Sequence, residues 1–255
     1  MSKRPLILIT NDDSIYAKGI KSLVDVVKEL GDVLVVSPQD PQSGMGHAIT
    51  IHEPLRLKPS NQFKDIEAYT CSGTPVDCVK LAIYEVLKTR PTLLVSGINH
   101  GSNAATNILY SGTMSAAVEG AIENIPSIGF SLLDFDTDAD FDAAKHYAKI
   151  ICQNVLKHGL PKGTCLNVNI PKGKLDTLKG IKICRQGKAF WEDAFEKRTD
   201  PFGGDYYWLT GDFAVTDRGE DTDMFALENK YVSVVPTQFD MTAHHLISTL
   251  NEWDI

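Results

Sequence analysis

Leu6-Ile7-Leu8-Ile9-Thr10-Asn11-Asp12-Asp13-Ser14 runs from an unbroken aliphatic stretch straight into two adjacent carboxylates. Aliphatic residues without polar alternation suit a strand covered on both faces, as in a parallel sheet. Downstream, Ile20, Leu23, Val24, Val27 and Leu30 fall on one stripe at helical spacing, up to Gly31, so the acids stand at a strand-to-helix junction. In open α/β sheets, ligands bind at such carboxyl ends. Neighbouring carboxylates repel each other and lose hydration in a crevice, and a divalent cation offsets both costs. Asn11, Asp12 and Asp13 equally suit a helix cap and a solvated turn. These residues alone leave both readings open.

Outward from this stretch, strand and helix alternate. Residues 32–38 read as a second buried strand leading into Gln39-Asp40-Pro41-Gln42-Ser43-Gly44-Met45-Gly46-His47, a second crest loop. Residues 48–57 read as an extended excursion, with Ile49, Ile51, Leu55 and Leu57 alternating with polar neighbours. Thr74 is placed as an N-cap, with Pro75 at the first helical position and Asp77 closing a capping box. The helix that follows turns Val76, Val79, Ile83, Val86 and Leu87 inward. Residues 93–96 form the next buried strand, running into Gly97-Ile98-Asn99-His100-Gly101-Ser102-Asn103.

Ser111-Gly112-Thr113-Met114-Ser115 opens a helix of small residues through Ala116, Ala117, Gly120 and Ala121. Its unpaired first-turn N–H groups, flanked by hydroxyls and a glycine, suit a phosphate, and an ordinary Ser/Thr cap accounts for the same residues. A strand over 127–131 and a helix over about 141–156 follow, then a strand over 166–171 whose alternation predicts one wetter face. Beyond Gly187, Phe190, Trp191, Phe195, Phe202, Tyr206, Tyr207 and Trp208 crowd around glycine turn signals. The expectation is a single domain over 1–255, with 189–230 a protruding oligomerisation arm. Residues 231–255 return to the core as a strand and a helix to about Leu250.

Composition narrows the function. A net charge of -8 over 255 residues, without a Lys/Arg cluster, argues against a nucleic-acid polymer as partner. Cys71, Cys78, Cys152, Cys165 and Cys184 are scattered and form no C-x-x-C pair, as expected of free thiols in a reducing compartment. The basic start Ser2-Lys3-Arg4 precedes an apolar run too short for a secretory signal, and no run is long enough for a membrane helix. The expectation is a soluble cytoplasmic protein without a membrane partner. Asp12, Asp13, Ser43 and Asn99 place oxygen donors at three strand ends, a set suited to a hard cation, Mg²⁺ or Mn²⁺.

Five stretches then carry a family resemblance: Ile9-Thr10-Asn11-Asp12-Asp13, Ser37-Pro38 through Ser43-Gly44 to Gly46-His47, Ser72-Gly73-Thr74-Pro75-Val76-Asp77-Cys78-Val79, Ser96-Gly97-Ile98-Asn99, and Tyr110-Ser111-Gly112-Thr113 to Ala117. In this order they resemble the SurE family of metal-dependent 5'-nucleotidases. The resemblance implies a three-layer, doubly wound, Rossmann-like α/β fold with a mostly parallel sheet and a C-terminal β-hairpin arm. It implies that Asp12, Asp13, Ser43 and Asn99 bind the metal and that Asn103, Ser111, Gly112 and Thr113 surround the phosphate. It also implies nucleoside 5'-monophosphates as substrates, often with 3'-nucleotides and sometimes short polyphosphate, and a homodimer or homotetramer built through exchanged arms. Ser14 departs from the pattern, which has glycine there; a positive φ would strain it mildly. His100 either covers the crevice or touches phosphate, and His47 suits packing and substrate contact equally.

The mechanism expected is in-line attack of water on a phosphate monoester polarised by the cation, with Asp12 the catalytic residue that orients or deprotonates that water. A covalent phospho-aspartate, as in haloacid-dehalogenase-type phosphatases, calls for D-x-D where this chain has adjacent acids. An oxidoreductase would need G-x-G-x-x-G after the first strand, and a P-loop is also missing. A non-catalytic nucleotide-binding regulator and a phosphatase for other monoesters remain the alternatives.

Overall fold

A computed structural model describes residues 4–253; positions 1–3 and 254–255 of the expected 1–255 span lie outside the described residues. Its central sheet is built from β1 (Leu6–Thr10), β2 (Asp32–Pro38), β3 (Leu57–Pro59), β4 (Glu67–Cys71), β5 (Leu93–His100), β6 (Ser127–Leu133), β7 (Thr164–Pro171), β8 (Ile181–Ile183) and β11 (Val232–Gln238). The strands lie in the order β3-β4-β2-β1-β5-β6-β7-β11-β8. The six from β4 to β7 are mutually parallel; β3 and β11 run antiparallel to their neighbours β4 and β7. The chain winds from β1 to β2 on one side and then returns to β5 on the other. The switch point is therefore the crevice between β1 and β5, where a doubly wound sheet holds its ligand.

Side chains of alternate strand residues explain the three layers. Ile7 and Ile9 of β1 enter the core beneath α1 (Lys18–Val27), while Leu8 enters the opposite core beneath α2 (Pro75–Leu81). Fully burying one such side chain contributes about 1.5–3 kcal/mol, so both faces hold the strand in register. On α1, Ile20, Leu23, Val24 and Val27 are buried as their spacing predicts. Gly19 lets α1 press against the crest, since a Cβ there would stand 1.9 Å from the Ile98 carbonyl oxygen. Thr74, Pro75 and Asp77 form the expected capping box, and beyond Leu81 the helix loosens into a π-helical turn, Ala82–Leu87. The other helices are α3 (Gly112–Ile122), beside α2, and α4 (Asp142–His158), beside α1.

Four regions differ from the sequence expectation. Within 48–57 only Leu57 joins a strand; Ile49 and Ile51 are exposed, and Asp77 instead binds Thr50 through its amide and hydroxyl. The wetter face expected over 166–171 is dry, because Asn167 and Asn169 are buried and bonded to Asn103. The arm is β9 (Ala189–Thr199) paired antiparallel with β10 (Asp205–Val215), but the chain then turns inward. Asp223, Ala226 and Leu227 of α5 (Asp223–Glu228) are buried rather than part of a protrusion. After β11 the chain leaves the sheet. Residues 239–253 are exposed, and their helix, α6, spans only Ile247–Leu250.

Candidate functional site

Asp12 is buried at the end of β1, 4% exposed, where Thr113 at the start of α3 donates its hydroxyl proton to Asp12 Oδ1 at 2.5 Å. Only glycine fits before that threonine: a Cβ on Gly112 would stand 2.7 Å from Asp12 Cβ and 3.0 Å from its Oδ2. Burial, then the charge of Asp13, lifts the Asp12 pKa from its usual 3.8 to about 6, although the Thr113 hydroxyl and amide pull it back. Asp13 is raised too, chiefly by burial, and its Oδ2 accepts the His100 N–H at 3.4 Å.

Asn11 fixes the turn that carries both acids. Its Oδ1 accepts from Ser37 Oγ at 2.5 Å and its Nδ2 donates to the Ser14 carbonyl at 2.8 Å, bridging β1 and β2. Ser14 does sit in the left-handed region, φ 78.

The expected metal donors are brought together unequally. Asn99 donates through Nδ2 to the Gly101 carbonyl at 3.1 Å, and among the described residues no hydrogen bond engages its Oδ1. Ser43 is exposed at a loop tip, where its hydroxyl makes no hydrogen bond among the described residues. Its loop is nonetheless tied to the site: the Gln42 N–H donates to the Asp12 carbonyl at 2.7 Å, and Gly46 N–H to that of Tyr110 at 3.2 Å. His47 anchors the far side of the loop through Glu119, at 2.9 Å; Glu119 also accepts from Lys80. Burial acts to raise the Glu119 pKa, and the hydrogen bonds from His47 and Lys80 outweigh it, leaving the group below its usual 4.5. The His100 ring lies against the Asp134 carbonyl at 3.0 Å and edge-on to Phe141, as a crevice wall would.

Among the phosphate candidates, Ser111 is an N-cap, accepting the Met114 N–H at 3.0 Å. Asn103 is held on three sides: its N–H donates to Asn169 Oδ1 at 2.8 Å, its carbonyl accepts from Asn167 Nδ2 at 2.8 Å, and its own Nδ2 donates to Ser131 Oγ at 2.7 Å. Asn167, Asn169, Ser131 and Glu119 have structural roles here that sequence reasoning missed. The Asn-x-Asn alternation of β7 was the available signal.

A hard cation fits this donor set. Two neighbouring carboxylates stand together, Asp12 buried and Asp13 half-buried, and no lysine or arginine acts on either among the described residues. Nor, among those residues, do three His, Cys, Asp or Glu side chains converge, so the remaining donors must be amide, hydroxyl or water oxygens.

The fold and crest define a class: doubly wound α/β proteins with an acidic pair set against a helix N-terminus at the topological switch point. Comparison narrows the class. The family described as Survival protein SurE matches residues 7–193. The 5'-nucleotidase SurE of Flavobacterium psychrophilum is 62% identical over 256 residues, covering 100% of this chain and 99% of its own. That of Christiangramia forsetii is 60% identical, covering 99% and 98%. The crystal structure of the SurE protein from Aquifex aeolicus superposes with a TM-score of 0.84 at 39% identity, over 97% of this chain and 98% of that one. The chain belongs to the SurE family.

Proposed function

We propose that this protein is a divalent-metal-dependent 5'-nucleotidase, hydrolysing nucleoside 5'-monophosphates to nucleoside and phosphate. The observation that carries the reading is Asp12, a carboxylate buried under the start of α3 beside a second acid, with no lysine or arginine acting on either among the described residues. Asp12, Asp13, Ser43 and Asn99 would hold Mg²⁺ or Mn²⁺, which supplies positive charge to polarise a phosphoryl oxygen. Thr113 fixes the Asp12 carboxylate in one orientation, from which it aligns a water and accepts its proton. The amides at the start of α3 and the second Nδ2 proton of Asn103 suit the equatorial phosphoryl oxygens.

A cavity of about 620 Å³, large enough for a nucleoside leaving group, is bordered by Ser14, the residue after the acids, and by Tyr16, Asp40 and Lys58. The exposed Ser43 loop leaves the crest open, which suits 3'-nucleotides and short polyphosphate as further substrates. The arm exposes Phe195, Trp208 and Leu209, and a two-stranded hairpin is marginal alone, which supports a homodimer or homotetramer. Five buried free thiols suit the cytoplasm, and among the described residues no helix is long and apolar enough to cross a membrane.

Phosphate release from a panel of nucleoside monophosphates, sugar phosphates and polyphosphate, with metal removed and then restored, tests the reading. Release confined to the metal-loaded protein and fastest with 5'-monophosphates is expected. Nucleotide binding without release would point to the regulator instead.

A further inference from the structure

Between Asn103 and α3 the chain makes a 3₁₀ turn, Ala105–Tyr110, and the first residue of that turn adopts φ 50. This left-handed conformation is disfavoured for any residue with a Cβ, and a strained residue persists only where its surroundings hold it. What holds Ala105 comes from far along the chain. Its N–H donates at 2.9 Å to Oδ2 of Asp223, which is fully buried. The other oxygen, Oδ1, accepts from Gly187 and Met224, both at 2.8 Å. One carboxylate thus joins the turn after Asn103, the base of the arm and the start of α5. Two further bonds run alongside: Thr106 Oγ1 donates to the Ala189 carbonyl at 2.6 Å, and Trp191 Nε1 donates to Asn107 Oδ1 at 2.9 Å.

Upstream of the strained residue, Asn103 is locked by Asn167, Asn169 and Ser131; downstream, Ser111 opens α3. If Ala105 relaxed to a negative φ, the chain direction would change between these fixed ends. The placement of Asn103 relative to Ser111–Thr113 would then change. We propose that Asp223 is a positioning residue for the phosphate site, holding Ala105 in its left-handed conformation so that Asn103 and the start of α3 address the same phosphate. The proposal rests on the reading of segment 103–113 as phosphate-binding.

The test uses the full-length, Mg²⁺-loaded protein and the variants Asp223→Asn and Asp223→Glu, each with and without Ala105→Gly. Asparagine must turn an NH₂ toward one of the N–H donors, and glutamate displaces the carboxylate by a methylene, so the glutamate variant serves if the asparagine one does not fold. Two quantities are measured: kcat and KM for a nucleoside 5'-monophosphate, and the affinity for inorganic phosphate by calorimetry. Loss of the tether should lower kcat/KM by about 10–100-fold, the usual effect of losing a supporting contact behind a site, and phosphate affinity should fall in parallel. Adding Ala105→Gly should restore most of both, because glycine adopts positive φ without a tether, while the thermal stability lost at Gly187 and Met224 stays lost. Unchanged KM and phosphate affinity, or a loss that Ala105→Gly does not relieve, would overturn the proposal. A wild-type protein that releases no phosphate would count against the nucleotidase reading, and the phosphate affinities of the same variants would still decide this one.

Discussion

Around Asp12 the side chains of Asn11, Ser37 and Thr113 are buried and hydrogen-bonded, whereas on the β9–β10 arm the aromatic side chains lie open to solvent on a backbone ladder. At the crest, Asn11 bonds both Ser37 and Ser14, Thr113 bonds Asp12, and Gly112 leaves no room for a Cβ beside that acid. On the arm, Phe195, Trp208 and Phe202 are 67%, 57% and 97% exposed, and among the described residues the one arm side chain hydrogen-bonded to the body is Trp191, near the base. The crest side chains named here find their partners within one chain, whereas the arm's large aromatics stay open to solvent. Activity and assembly should therefore respond to different substitutions.

The sharpest break in that comparison is Gly112→Val, which drives a side chain into Asp12 and should cost at least about a hundredfold in kcat/KM while leaving the oligomer intact by sedimentation. Deleting residues 189–213 should act on assembly, giving a monomer by sedimentation that still binds metal at the end of β1, although it also removes the Ala189 and Trp191 contacts to Thr106 and Asn107. An oligomer that survives this deletion would remove the arm from the assembly.

Asp12→Asn sharpens the comparison through stability. Because burial raises the Asp12 pKa from 3.8 to about 6, the metal-free fold is favoured with this group protonated. That contribution is fully present below 3.8 and is lost as pH rises through 6. Roughly two pKa units correspond to about 3 kcal/mol, so the metal-free Asn variant should melt higher than wild type at pH 7.5 and no higher at pH 4. Equal melting at both would mean the site stores no such strain.

Glu119→Gln acts more gently, since its carboxylate holds His47 and Lys80 rather than the substrate. With its pKa lowered in the fold, Glu119 contributes stability present above its usual 4.5 and lost as pH falls through the folded value. The Gln variant should flatten the acid side of the Tm profile and raise the metal concentration needed for half-maximal activity a few-fold. The smallest effect is expected at Ser14→Gly, where relief of the positive φ should stabilise by about 1 kcal/mol in denaturant unfolding, with kcat unchanged within about twofold.

Sequence reading reached β1 and the start of α2 because their signals are local. The aliphatic run of β1 is buried on both faces, and Thr74-Pro75-Val76-Asp77 caps α2 from within four residues. Contacts across long separations left less trace. Asn167 and Asn169 alternate as a solvated strand face would, yet their partner is Asn103, 64 and 66 positions back. Asp223 looks like an ordinary first-turn acid until Ala105, 118 positions away, is seen to need it. Segment 48–57 kept strand-like alternation, but the Asp77 carboxylate took up the Thr50 amide that a ladder would have used.

The most direct test of the account is phosphate release from a nucleoside 5'-monophosphate by metal-saturated wild type and Asp12→Asn, with thermal unfolding followed on the same samples. The account predicts that the variant loses about a thousandfold or more in rate while melting no lower than wild type in the metal-free state. A folded Asp12→Asn protein that keeps its rate to within about tenfold would contradict it.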